Sequence, residues 1–330
     1  MKPLSLMLLT GIFGAVLSPC AAHGSPLSLV QTIPLPWVEG GIDHLAVDVE
    51  GGRLFVAAFG NNTVEVIDLR DGSRIRSLTG LREPQGVLYV PRLNKIYVAN
   101  ARDGTAEVFD GDSLRLLSEV RFSGDADNIR CDEAAKIVYL GYGNGALGMI
   151  DAVSDNRVAK IKLPGHPESF VLERSGDRIY VNVPSAGLVA VVDRRKKAVV
   201  EKIPLTDFGS NFPMALDEVN HRLFVGTRNP PRVLVLDTQS GRTVAVLKSD
   251  EDADDMFYDG RRRRIYVSCG EGNLDVFEQL DADHYVELAK IATAPGARTS
   301  LWVPELDRLY VAVPKHRNQE AAILVYEIGS

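Results

Sequence analysis

The sequence predicts an all-β chain: a seven-bladed β-propeller with four antiparallel strands per blade, its last blade closed by an N-terminal strand. Three observations predict it. An apolar-aromatic-apolar triplet recurs seven times at near-constant spacing. Each copy sits in a unit of four short apolar runs separated by Gly, Asn and Asp turns. The last unit lacks its fourth run, and a matching run stands near the N-terminus.

The triplets are Leu54-Phe55-Val56, Ile96-Tyr97-Val98, Val138-Tyr139-Leu140, Ile179-Tyr180-Val181, Leu223-Phe224-Val225, Ile265-Tyr266-Val267 and Leu309-Tyr310-Val311. Their aromatic residues are 42, 42, 41, 44, 42 and 44 positions apart. A period of 40–45 residues is that of a four-stranded propeller blade. Within the first unit, Leu45 to Val49 is one apolar run and Glu50-Gly51-Gly52 its turn. Arg53 to Ala58 is the second strand, Thr63 to Ile67 the alternating third and Ser73 to Leu78 the fourth. Strands of about five residues joined by Gly, Asn and Asp turns make antiparallel meanders. An acidic residue closes the third strand of most units, from Asp68 through Asp110, Asp151, Asp193 and Asp237 to Glu278. In the last unit it is Glu327, displaced by an insertion around residues 316–320. Only two residues follow Ile328, so the segment Leu27 to Leu35 is assigned as the missing strand, which removes an exposed edge.

Residues 1–24 stand apart from the repeats. Lys2, an apolar stretch from Leu4 to Leu17 and the small residues Ala21-Ala22 have the layout of a secretory signal peptide, and the stretch is short for a bilayer span. The expected division is therefore a signal peptide at 1–24 and one propeller domain at 25–330, monomeric and periplasmic or secreted, with no membrane span. Cys131 and Cys269 fall in blades three and six, across the ring, and are expected as two free buried thiols. The chain has 37 Lys and Arg against 44 Asp and Glu, a formal charge of −7, which speaks against a nucleic-acid partner. The basic runs 194–197 and 261–264 lie in turns on one face and read as solvated hairpin tips.

Tyr97-Val98-Ala99-Asn100 and Tyr180-Val181-Asn182, each followed by an apolar strand ending in Asp, resemble the YVTN-repeat, or YncE-like, seven-bladed propeller family over roughly residues 27–330. The resemblance implies the fold and leaves the activity open. Related propellers include scaffolds and binding proteins, streptogramin B-type lyases and lactonase-type hydrolases.

The first strand of each blade is innermost, so the loops leading into it and those between second and third strands share one face. Twelve residues before the aromatic anchors stand Asp43, Gln85, Asp127, Glu168, Phe212, Asp254 and Arg298. Fourteen before them stand Gly41, Glu83, Asp125, His166, Ser210, Asp252 and Gly296. Position eleven adds His44, Asn128 and Asp255. In an extended segment, positions two apart share a side. Carboxylates crowded around one axis call for a cation, an arginine or shared protons.

A divalent ion of unknown identity is the expected cofactor, with Asp43, His44, Asp127, Glu168 and Asp254 as its ligands. Arg298, Gln85, Asn128, Glu83, Tyr142 and Arg228 are the further ligand-binding candidates, Tyr142 and Arg228 from the second set of loops on that face. The expected function is an exported binding or scaffold protein with a small-molecule or metal ligand at an acidic funnel. Two alternatives stay open: a metal-assisted lyase or lactonase-type hydrolase using His166, His44 or His316 as acid or base, and a protein-interaction module using the top-face loops. No Gly-x-Ser-x-Gly, phosphate loop, dinucleotide fingerprint or Cys-x-x-Cys supports another chemistry.

Overall fold

Every residue of the recurring triplet is buried to within a few per cent, and its alternation explains the ring. In a strand, successive side chains point to opposite faces. Phe55 therefore packs forward with Val87, Ile96 and Val98 of blade two. Its neighbours Leu54 and Val56 pack backward with Val303, Tyr310 and Val325 of blade seven. The same division repeats at each joint, through Tyr97, Tyr139, Tyr180, Phe224 and Tyr266, until Tyr310 closes on blade one. Burying each aromatic contributes roughly 1.5–3 kcal/mol.

The computed structural model describes residues 25–329 and arranges them as seven four-stranded antiparallel sheets. Six sheets are sequential meanders, from Leu45–Asp48 with Arg53–Ala58, Thr63–Asp68 and Arg74–Leu78 in blade one to the four strands between Ala253 and Ala292 in blade six. Blade seven takes Ser300–Val303, Arg308–Val313 and Ala322–Ile328 from the C-terminus and Leu27–Pro34 from the N-terminus. The closing strand pairs antiparallel from Leu27 with Ile328 to Pro34 with Ala322. The expected latch is thus present. The signal-peptide assignment at 1–24 lies outside the described residues. Among those described, no helix is long and apolar enough to cross a membrane. The insertion of blade seven is a turn in which His316 and Gln319 exchange backbone hydrogen bonds.

A second device ties neighbouring blades at the lower face. The residue opening the second strand is Arg or Lys in six blades, and several of these reach forward: Arg53 to the Gly111 carbonyl, Lys95 to Asp155 at 2.8 Å, and Arg222 to Asp283 at 2.7 Å. Part of each basic run serves the same end. Arg262 donates to Asp259, Asp307 and the Gly329 carbonyl, and Arg264 donates to Gly329 as well. Arg194 pairs with Asp132 of the preceding blade. Arg194, Arg262 and Arg264 are therefore ties within and between blades, while Arg195, Lys196 and Arg261 stay exposed as expected of hairpin tips. Both cysteines are free. Cys269 is buried and Cys131 only half-buried, its thiol pushed up to about 12 by burial and by Glu133.

Candidate functional site

The innermost strands do not run straight into the upper mouth of the channel. The pairing of first and second strands slips between Pro84 and Val87, between Ala126 and Ile129, between Asn211 and Met214, and between Ala253 and Asp255. A bulge leaves consecutive residues unpaired and re-aims their side chains. Here it frees Asp127 with Asn128, and Asp254, at the channel mouth. Position fourteen is not extended in most blades: Glu83, Asp125, Ser210, Asp252 and Gly296 all have φ between 46° and 79°. The two-residue periodicity expected for this stretch is therefore broken, and the left-handed residue turns the chain over the rim. Asp and Asn tolerate that conformation better than other side chains.

The resulting funnel is a cavity of about 230 Å³ lined by Asp43, His44, Gln85, Asp125, Asp127, Asn128, His166, Glu168, Ser169, Phe212, Arg228, Asp254 and Arg298. Blade two presses close here: a Cβ on Gly86 would lie 2.1 Å from the Asp127 carbonyl oxygen. Backbone bonds from His44 to Gln85 and from Asp255 to Arg298 knit adjacent blades at the same level.

The funnel neutralises its acids in two ways. On the side of blades five to seven, Asp254 receives Arg228 at 2.6 Å on one oxygen and Arg298 at 2.9 Å on the other. Both guanidiniums also reach Asp252, at 3.2 and 3.0 Å. Arg228 is stacked 3.7 Å from the Phe212 ring centroid and donates to the Ala253 carbonyl. Burial pushes the Asp254 carboxyl up to about 6 and the two arginines oppose it, so it is ionised at neutral pH.

At the centre, His44 faces three acids: Asp255 at 3.5 Å from Nδ1, and Asp127 and Asp43 at 3.8 and 3.9 Å from Nε2. Burial alone disfavours its charge, but Asp43, Asp255 and Asp127 outweigh that and lift the imidazole to about 10. A protonated imidazole has no lone pair for a metal, so His44 acts here as a counter-ion.

The remaining side, on blades one, three and four, has no guanidinium of its own. Burial, with Asp127, Asp254 and Asp255 nearby, holds the Asp43 carboxyl well above its ordinary range. Glu168 is lifted to about 8 by burial and by Asp127 and Asp254. Asp127 is only 8% exposed and raised by burial. One of its oxygens accepts from Asn128 at 3.3 Å, while Oδ1 is buried without a hydrogen-bond partner.

Most of the expected site residues converge on this cavity: Asp43, His44, Asp127, Glu168, Asp254, Gln85, Asn128, Arg228, Arg298 and His166 all line it. His166 holds the Gly143 carbonyl at 2.6 Å through Nδ1, with Asp125 at 3.3 Å. Three do not line it. Glu83 turns outward at φ 59° and meets Arg102 at 3.5 Å. Tyr142 is buried against Phe122, ring centroids 4.8 Å apart, and its hydroxyl accepts from Arg157. His316 is exposed in the insertion turn of blade seven. Sequence reasoning passed over Arg130, which donates to Asn128 from below the funnel at 3.3 Å. It stands nine residues before its anchor, where the other six blades carry Ala46, Leu88, Val171, Ala215, Phe257 and Leu301. The break in that apolar register was the available signal. Among the described residues, no group of three or more His, Cys, Asp or Glu is arranged to hold a metal ion as it stands.

Fold and site together define a seven-bladed propeller with a charged central funnel. No family profile matches the chain. It is similar to protein YncE of Salmonella typhimurium and to that of Salmonella typhi, each 20% identical over 214 residues, covering 63% of this chain and 60% of the relative. It is also similar to Antigen Lp49 of Leptospira interrogans, 23% identical over 224 residues, 65% of this chain and 46% of that protein. The chain thus matches less than two thirds of the length of these relatives. They support the YncE-like resemblance read from the repeats.

Among solved structures, a chain of Kuenenia stuttgartiensis hydrazine synthase superposes with a TM-score of 0.74 at 16% identity, covering 87% of this chain and 95% of that one. A chain of a mitotic checkpoint complex superposes at 0.78 and 12% identity, covering 100% and 99%. At these identities the likeness is one of fold. A propeller with these relatives fits a binding or scaffold role.

Proposed function

We propose that the chain is an exported, monomeric binding protein, periplasmic or secreted, whose upper funnel takes a small cation between Asp43, Asp127 and Glu168. The observation that carries this is the Oδ1 of Asp127: a buried carboxylate oxygen without a hydrogen-bond partner, faced only by the His44 imidazole at 3.8 Å, in a cavity it shares with two other carboxyls whose protons are held tightly. A buried polar atom left unpaired costs about 1–3 kcal/mol, more when charged, and a cationic ligand recovers it. A divalent ion suits the all-oxygen donor set. His44 and Asp254 drop out of that set, because the first is held protonated and both oxygens of the second face arginines. The ion we propose keeps part of its water shell, in keeping with the absence of a ready-made cage. Binding displaces protons from Asp43 and Glu168, so affinity rises with pH.

The test is thermal unfolding of chelator-treated protein with Ca²⁺, Mg²⁺, Mn²⁺ or Zn²⁺ added singly, repeated at pH 6 and pH 8. A ligand that binds only the folded state stabilises by RT ln(1 + [L]/Kd). An upward shift with at least one ion, larger at pH 8, supports the proposal. Identical curves with all four would remove the divalent ion as the ligand.

A second reading, a metal-assisted lyase or lactonase-type hydrolase, is favoured by Glu168 alone, whose proton is exchangeable near neutral pH. Turnover of a lactone or ester panel, lost in Glu168→Gln, is the outcome that selects it over simple binding.

A further inference from the structure

Below the funnel the channel changes character. Its lower half opens on the opposite face as a cavity of about 700 Å³, a size that accepts a small organic ligand. Val171, Leu172, Leu216, Phe257 and Tyr258 border it, and all five are half-buried: each packs partly against a blade joint and leaves the rest of its apolar surface to the opening. Val219, at its rim, is 87% exposed.

Among the basic residues that border the cavity, Arg130 lies deepest, beside the funnel-lining Asn128. Arg130 borders this cavity and two adjoining ones of the same lower channel. Its guanidinium lies 5.8 Å from the Phe170 ring centroid, and it donates to its own Ile129 carbonyl at 2.8 Å and to Asn128 at 3.3 Å. Both acceptors are neutral, and no carboxylate among the described residues comes within ion-pairing distance of it. Burial lowers the affinity of this group for its proton, with Asp255 and Asp127 only partly offsetting the effect.

The acids around the same cavity are already engaged. Asp217 holds Asn220 and Gln279, Glu218 holds Ser175 and the Arg174 amide, and Asp255 holds the Ser300 amide beside His44. Arg174 stands exposed at the mouth and forms no salt bridge of its own among the described residues. A partly buried guanidinium at the inner end of an apolar pocket, with spare N–H groups, is built for the head of an anion.

We propose that the lower channel is a second binding site, separate from the cation funnel, and that it takes an apolar organic acid: a monocarboxylate head on Arg130 and a hydrocarbon body along the wall of Val171, Leu216 and Phe257. The site shares no acidic ligand with the funnel.

The test is calorimetric titration of the purified full chain with octanoate, octanol and octyltrimethylammonium. Octanoate binds at least tenfold more tightly than octanol, and the ammonium no more tightly than octanol. Arg130→Leu, which restores the apolar residue found at this register in the other blades, brings octanoate down to the octanol level and leaves octanol unchanged. Arg130→Lys keeps part of the preference. Equal affinity for octanoate and octanol in the wild type, or wild-type octanoate affinity in Arg130→Leu, overturns the proposal. Should Arg130→Leu melt without a cooperative transition, Val171→Trp, which fills the wall, decides: it abolishes octanoate binding, and retained binding overturns the proposal. The response to divalent ions is unchanged in Val171→Trp whichever way the funnel reading falls.

Discussion

Two sides of one funnel hold the same kind of charge by different means. Toward blades five to seven, Asp252 and Asp254 face two guanidiniums that fork onto both. Toward blades one, three and four, Asp43, Asp127 and Glu168 have no guanidinium paired to them and lie around the central imidazole of His44, and burial raises all three carboxyls above their ordinary range. Register equivalence across the blades therefore does not mean chemical equivalence. The first side is complete in itself and structural. The second has no guanidinium of its own, and Asp127 Oδ1 there has no hydrogen-bond partner, only the His44 imidazole at 3.8 Å.

The comparison breaks most visibly if the complete side is opened. Arg228→Leu leaves Asp254 with one guanidinium and removes the stack on Phe212. Breaking a buried charge pair costs about 3–5 kcal/mol, and denaturant unfolding should register a loss in that range at pH 8. Because the wild-type carboxyl is ionised above about pH 6, the deficit shrinks as both proteins are taken below that pH.

His44→Leu comes next, with an expected loss near pH 6 at the lower end of the about 3–5 kcal/mol that breaking a buried charge pair costs. The imidazole holds its proton more tightly folded, at about 10, than unfolded, at 6.5. Its stabilisation is therefore full below about 6.5 and is lost as pH rises through 10, so the gap between wild type and variant narrows in alkali. If His44 is the counter-ion argued here, a divalent ion should restore part of the lost stability by taking its place.

Glu168→Gln runs in the opposite direction. The carboxyl is raised from 4.5 to about 8, so the folded wild type binds the proton more strongly and loses stability as pH rises from 4.5 through 8. The amide escapes this, and the variant should melt higher than the wild type at pH 9 by roughly 2 °C or more, with the two curves converging below pH 4.5. The smallest effect belongs to the rim. Glu83→Ala removes an exposed partner of Arg102 and should change stability by less than about 0.5 kcal/mol and the ion response not at all.

The ring was readable in the chain because one blade cannot bury both its faces alone. The same apolar triplet had to be written seven times, and the strand missing after Ile328 had to reappear at Leu27. The level of the funnel was readable for a related reason: counting back from Phe55 or Tyr139 crosses the same number of strand residues in each blade. Its partnerships were not. The bulge at Asp127-Asn128 and the left-handed turn at Glu83 and Asp125 change which way a side chain points without changing its place in the count. Tyr142 was misplaced because it ends a strand whose alternation carries it back to Phe122. Asp254 reads like Asp127 in sequence, and only the reach of Arg228 and Arg298 across blades separates them.

That separation is the central claim, and single substitutions on either side test it directly. The measurement is the shift of the melting temperature by a divalent ion in chelator-treated wild type, Asp127→Asn and Asp254→Asn at pH 8. Asp127→Asn should lose the ion-dependent shift while melting no lower than ion-free wild type. Asp254→Asn should melt lower, because two guanidiniums lose an acid between them, yet keep the shift. Equal loss of the shift in both variants, or its survival in Asp127→Asn, would contradict the assignment of a ligand-seeking side and a self-neutralised one.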